Sequence, residues 1–472
     1  MGLQLPDFIM LLIYMAAMLY MGYYFSKGTK NADDYQFGGK GFGTLILIAT
    51  LAATAMGSSS ALGQAGAAYT TGLSVITTMI VPWCIGWSIL VFIAKKIRST
   101  NSTSIPDLFM KRYGNLTGQV TSILTFLSGI AGCAIQITGM GLLISLIMGD
   151  AMNFTTAVYV ATAITVLYTS IGGLKAVVYT DVLQVIILAI GICIVIPVIV
   201  TSEVVQTGMS WSQIQQTIGV DKFNWLGGIS AVTIISTIIH YIFSASTNAA
   251  YYQRIIIAKD DKAATRSQLI GMLAYLILGS VIVFTAILAN ITTPELAQTE
   301  TVLTNLVIAN MPVIIRGLMM AAFFSAIMSS MDSFLIITAE RLTINILDVP
   351  NKYDEKKQLL IARLTTVVIG VGAMLLALKF KNVLAIVQYT LSISAAGLFF
   401  PFMLTLYWKK ITGSGVLSGV IGGGFMVLIL GLFTLPFDVS IAANLFSLII
   451  TVTVSLLTQK QRKDELAPSG KL

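Results

Sequence analysis

Residues 321–333 read Ala-Ala-Phe-Phe-Ser-Ala-Ile-Met-Ser-Ser-Met-Asp-Ser, which puts four hydroxyls and a carboxylate inside an apolar run of membrane-crossing length. At helical spacing Ala326, Ser329, Ser330 and Ser333 share one face, and Asp332 stands close to a turn past Ser329. Oxygens gathered on one stripe are the ligands a hard cation such as Na+ takes. The plainer use of a serine in such a helix is a hydrogen bond back to the carbonyl one turn earlier. Four hydroxyls beside an acid favour coordination. Burying a carboxylate in a bilayer costs ~2.5–3.5 kcal/mol even on the lenient insertion scale, which marks Asp332 as functional. Asp332 can hold a second cation, carry a proton or meet a cationic substrate.

A second stretch, residues 52–66, carries Gly57, Ser58, Ser59, Ser60, Gly63, Gln64 and Gly66 in the middle of an apolar segment. Such residues favour a helix that unwinds, and unwound carbonyls at membrane depth are tolerated where they line a cavity or bind something. Close packing of small residues is the competing explanation. Asp181, after Gly172-Gly173-Leu174-Lys175, is the other acid at apparent membrane depth, although near a helix end a cap role competes. His240, the single histidine, reads as a hydrogen-bonded structural residue ahead of a proton relay. Trp83, Trp87, Tyr251 and Tyr252 are interface anchors or substrate platforms. The glycines from Gly419 to Gly424 read as helix packing. Cys84, Cys133 and Cys193 show no metal-ligand spacing and read as small buried residues.

These residues need helices to hold them. Only 10% of the 472 residues are charged and 56% are hydrophobic, against roughly a quarter charged in soluble proteins. The chain is therefore an all-α integral membrane protein in a lipid bilayer. A window of ~19 residues gives thirteen transmembrane helices, near 7–25, 43–70, 75–95, 117–149, 153–171, 180–202, 226–256, 267–290, 311–346, 360–380, 383–408, 413–434 and 440–458. The first reads as a retained span rather than a signal peptide. The net charge of +8 lies in short loops rather than in a nucleic-acid-binding patch. Sorted by alternate loops, 24 of the 28 Lys and Arg, among them Arg254 and Arg341, fall on one side. Lys222, Arg316, Lys379 and Lys381 fall on the other. The asymmetry puts the amino terminus outside and the carboxy terminus in the cytoplasm of a cell-membrane protein. The 203–225 loop, with Trp211 and Trp225, reads as a short amphipathic segment, and 459–472 as a disordered cytoplasmic tail. No Walker or dinucleotide fingerprint is present, so energy comes from an ion gradient or from the substrate itself.

The sequence resembles the sodium/solute symporter family, which includes proline, sugar, pantothenate and sialic acid symporters. The resemblance is carried by Ala32-Asp33-Asp34-Tyr35-Gln36-Phe37-Gly38-Gly39-Lys40, by Ser104-Ile105-Pro106-Asp107 with Arg112-Tyr113-Gly114, by Gly172 to Gln184 and by Ala326 to Ser333. It implies one transporter domain of the LeuT type with a 5+5 inverted repeat, spans 2–6 (43–202) against spans 7–11 (226–408). It also implies a Na+ site from Ala53, Met56, Ala326, Ser329 and Ser330, with Asp181, Asp332 and Ser333 as a possible second cation or proton site. Asp332 replaces a hydroxyl that some members use there. The Ser329-to-Ser333 pattern is most similar to the choline-transporting branch, yet 53–64 lacks the aromatic residues of an ammonium cage. Asn248 resembles a sugar-contacting position. Ser58, Ser59, Gln64, Gln136 and Asn248 are the substrate-binding candidates.

The sequence thus reads as a sodium-coupled symporter, not an enzyme, importing a small polar organic solute by alternating access, with no obligatory protein partner. A proton-coupled transporter using Asp332 and a substrate sensor are the alternatives. An ion channel finds no pore-loop signature.

Overall fold

The computed structural model describes residues 3–379, 383–433 and 438–459, and these are helical, with one isolated bridge between Phe42 and Ala258. The proposed tail after Gln459 lies outside the described residues. The principal helices are α1 (Leu5–Ser26), α2 (Thr44–Ala55), α3 (Gln64–Thr71), α4 (Val81–Ser99), α5 (Asn115–Met148), α6 (Phe154–Ile190) and α7 (Ala231–Ser246). They continue as α8 (Ala249–Ile256), α9 (Asp261–Thr292), α10 (Ile315–Glu340), α11 (Glu355–Lys379), α12 (Val383–Tyr407), α13 (Gly413–Leu430) and α14 (Val439–Leu457).

By length and hydropathy the described residues contain 10 membrane-crossing helices, or 11 if the bent pair Thr44–Ala55 and Ser59–Thr71 counts as one. Thirteen separate spans are not what this count gives, and two differences account for it. The expected spans 153–171 and 180–202 are counted together as the stretch Phe154–Gln206, two arms that meet without a gap at Gly173. The expected span 226–256 divides at Thr247 into α7 and α8. α7 has 16 residues, about 24 Å of helix against a ~30 Å hydrocarbon layer.

A straight helix of 53 residues would run about 80 Å. It does not run straight. Gly173, inside α6, has φ 66° and ψ −176°, a conformation open essentially to glycine alone. The hydroxyls of Tyr168 and Thr180 are hydrogen-bonded to each other, although on an unbroken helix their Cα atoms would stand about 18 Å apart. The chain therefore turns sharply at Gly173, and the two arms of α6 lie against each other. This fold-back carries Thr169 and Asp181 into the same region.

α10 is the helix around which the others pack. Nearly every residue from Arg316 to Glu340 is buried, and α1, α2, α5, α6 and α11 lie against it. Its alanines and serines let neighbouring backbones approach closely. At the other side of the molecule the glycine stripe of α13 packs as the sequence suggests. A Cβ on Gly415 or Gly419 would come 1.9 Å from Ser455 Oγ or Thr451 Oγ1 of α14. The 203–225 segment holds a capped helix, Trp211–Ile218, which buries Ile214 and Ile218 and leaves Trp211 exposed.

Gly173→Ala should cost at least ~1–3 kcal/mol, because the new Cβ would also meet Tyr35 Cδ2 at 2.8 Å and Tyr35 O at 2.9 Å. A melting temperature in detergent lowered by several degrees is the expected result; an unchanged one would mean that the two arms do not depend on this turn.

Candidate functional site

α2 ends where the glycine- and serine-rich stretch begins. Met56 leaves the helix with φ −95° and ψ 34°, the chain bends by 56°, and a wide helical turn over Ser59–Gly63 leads into α3. The expected unwinding is there. α10 meets the open end of α2 with its serines. Ser329 Oγ shares its one proton between Ala53 O at 2.9 Å and, within α10, Ala326 O at 3.0 Å. Ser330 Oγ donates to Thr54 O at 2.7 Å and lies 3.4 Å from Ala326 O. The plainer use anticipated for these serines is therefore present, and both hydroxyls also meet carbonyls of α2. Ser325 has only the plain one, a bond to Ala321 O at 2.8 Å.

Four of the five oxygen donors foreseen in the first set, Ala53, Ala326, Ser329 and Ser330, are brought together and buried. Met56 is buried at the bend, where its N–H donates to Ala53 O at 3.1 Å. Thr54 O is an oxygen that sequence reasoning missed, since a backbone carbonyl has no side-chain signature. The approach is close enough to need Gly57, where a Cβ would lie 2.5 Å from Ser330 Oγ and 2.9 Å from Gln136 Oε1.

The second set is divided. Ser333 and Asp181 belong to a cluster centred on Arg254 of α8, a fully buried residue rather than the cytoplasmic loop charge it resembles in sequence. Arg254 Nη2 donates to Ser333 Oγ at 2.6 Å and to Thr50 Oγ1 at 3.1 Å, and lies 3.4 Å from Thr54 Oγ1 and 3.8 Å from Asp181 Oδ2. The Thr50 hydroxyl donates to Asp181 in turn. Asp332 points elsewhere. Its Oδ1 accepts from Thr169 Oγ1 on the arm of α6 before Gly173, and its Oδ2 is buried without a hydrogen-bond partner. Asp181 is thus an ion-pair residue and not a helix cap.

The substrate candidates also separate. Ser58 N donates to Gln136 Oε1 at 2.8 Å and Ser58 Oγ to Ile135 O at 3.1 Å, which ties the bend to α5. Gln64 Nε2 donates to Tyr275 OH at 2.7 Å, and its Oε1 is buried without a partner. Ser59 is exposed and stands apart. The Asn248 side chain caps α8, accepting from Ala250 N at 2.9 Å and Tyr251 N at 3.2 Å, so its oxygen is committed to the backbone. Trp87 and Tyr251 stack at 3.9 Å in the buried core, which removes them as interface anchors. His240 is hydrogen-bonded, with Nδ1 3.1 Å from Ser440 Oγ and 3.6 Å from Asp438. It is held as a structural histidine would be.

A further buried pair positions α10 and was not foreseen. Asp7 Oδ2 accepts from Arg316 Nε at 2.9 Å and Nη2 at 2.6 Å, while Oδ1 accepts from Ile314 N at 3.0 Å and Gly317 N at 3.2 Å. One carboxylate satisfies the start of α10 and holds Ile314 at φ 78°. Arg316, like Arg254 and Arg341, therefore leaves the count of loop charges. Asp7→Asn should lower stability by ~3–5 kcal/mol, the usual result of stranding one partner of a buried pair. Pairing it with Arg316→Gln should recover part of that loss in a thermal melt. No recovery would show that the carboxylate acts through the α10 backbone alone.

The sequence profile of the Sodium:solute symporter family matches residues 35–423. The high-affinity proline transporter PutP of Bacillus subtilis is 28% identical over 94% of this chain and 96% of its own length. The sodium/pantothenate symporter of Haemophilus influenzae is 26% identical over 98% of this chain and 97% of its own. Among solved structures, a Na+-coupled sialic acid symporter in a substrate-bound outward-open state superposes with a TM-score of 0.79. Its identity is 22%, over 96% of this chain and 98% of that one, a likeness that shows a shared fold. These relatives are transporters rather than enzymes.

Proposed function

The chain belongs to the sodium:solute symporter family, and from that premise we propose that it is a sodium-driven symporter importing a small polar organic solute by alternating access. One observation carries the reading. The hydroxyls of Ser329 and Ser330 meet the carbonyls at the broken end of α2, in a buried place where oxygens of two helices converge. A sodium ion there takes Ala53, Met56 and Ala326 carbonyls and the two hydroxyls, each hydroxyl turning its lone pairs to the ion. Five oxygens suit a hard cation.

The two helices belong to different halves of the proposed inverted repeat, α2 to 43–202 and α10 to 226–408. An ion that binds both favours the arrangement in which they are closest, and that preference couples the gradient to the gate. The solute sits beside the bend, near Ser58, Gln136 and Gln64. The carrier lies in the cell membrane with its amino terminus outside, an orientation supported by the loop charges that remain after the buried arginines are set aside. A second reading, proton coupling through Asp332, is favoured by its buried, unpartnered Oδ2.

A thermal-shift screen of the purified protein against small solutes, in sodium and then in potassium, separates the two readings. A ligand at 100 times its Kd adds ~2.7 kcal/mol of stability, so a solute that raises the melting temperature only in sodium is the expected result. Stabilisation that ignores sodium and follows pH would transfer the reading to Asp332. Ser329→Ala removes one ligand to a charged ion, worth ~1.5–3 kcal/mol. Sodium-dependent uptake should vanish, or need about ten-fold or more sodium. Uptake with unchanged sodium affinity would take Ser329 out of the site.

A further inference from the structure

We propose that Arg254 is a tethered cation that permanently fills the second oxygen cluster, so that the protein binds one sodium ion and not two. This rests on the reading of the chain as a sodium symporter. Thr50 and Thr54 of α2, Asp181 of α6 and Ser333 of α10 bring three hydroxyls and a carboxylate together from three helices, all of them buried. Left to themselves, these oxygens make a place for a hard cation. The cation already there is the guanidinium of Arg254. It reaches Ser333, Thr50 and Thr54 through Nη2, Thr50 again through Nε at 3.4 Å, and Gln253 Oε1 through Nη1 at 2.9 Å.

Two features make this occupation lasting. A guanidinium keeps its charge at any physiological pH, and its planar fork can serve several oxygens together. A metal ion entering the same oxygens would stand within a few ångströms of that charge, unpaid for by any further anion among the contacts of Arg254. The cluster also adjoins the first site through one residue. The Thr54 carbonyl takes the Ser330 hydroxyl, while the Thr54 hydroxyl faces Arg254 and lies 3.1 Å from Ser333 Oγ. Arg254 thus helps to fix the helix end that supplies the first site. It acts as a positioning residue and as the occupant of the second.

Equilibrium binding of 22Na+ to the purified full-length protein counts the sites without knowledge of the solute. Wild type should bind one sodium per chain with a Hill coefficient near one. Arg254→Gln should bind two, with a coefficient above one. Arg254→Gln combined with Asp181→Asn, which removes the cluster's charge, should return to one, as should Arg254→Lys. Two sodium ions on the wild type would overturn the proposal, and this count stands even if Arg254→Gln fails to fold. A folded Arg254→Gln that still binds one would overturn it as well. Absence of saturable sodium binding in the wild type would defeat the symport reading itself, and so is distinguishable from either outcome.

Discussion

A bilayer offers no water to a peptide carbonyl, so a helix that stops within it must have its open carbonyls met by other parts of the protein. α2 stops at Ala55 in this setting, and α10 supplies the partners through Ser329 and Ser330. Much of the architecture follows from that meeting. α10 must be buried on every side, must be lined with small residues, and must be fixed at its start, which Asp7 does by bonding the backbone of Ile314 and Gly317. The bend at Gly57 has to be free of side-chain bulk, because Ser330 and Gln136 both lie where a Cβ would go.

Buried charge is the other organising quantity. Asp7 with Arg316, Asp181 with Arg254, and Glu340 with Arg341 are all paired inside the protein. Such pairs add little net stability relative to an apolar core, since desolvation takes back most of what attraction gives. What they add is a heavy penalty for any arrangement that separates them. The first two pairs join helices distant in sequence, α1 to α10 and α6 to α8. They hold α10 and α8 in register with α2.

The serine stripe and the glycine-rich bend were legible in sequence, because residue types that are unfavourable facing lipid stand out against an apolar background. Their spacing also put on one face of α10 the three serines, Ser329, Ser330 and Ser333, that meet α2. Two things were not legible, each for a physical reason. Arg254 looks like a loop charge, since a basic residue just past an apolar run usually sets topology, and only the turn at Thr247 and Asn248 brings it inside. Asn248 looks like a ligand-binding amide, yet its place immediately before α8 commits its oxygen to the helix end. In each case the side chain's chemistry was visible and its partner was not.

The same hydrogen bonds that make the site visible also bear on how an ion could control it. With Ser329 and Ser330 donating to Ala53 and Thr54, the two helices are already joined, so on the proposed reading sodium replaces a neutral link by a charged one. Its effect on the gate is then the difference between the two links, not the whole of its binding energy. A site whose helices flew apart without the ion would spend that energy on reassembly. On the same reading the hydroxyls need only rotate, with Arg254 bonded to α2 and α10 and Asp7 to the start of α10. On the proposed reading, ion binding can be weak enough to reverse in each cycle and still bias the crossing of α2 and α10.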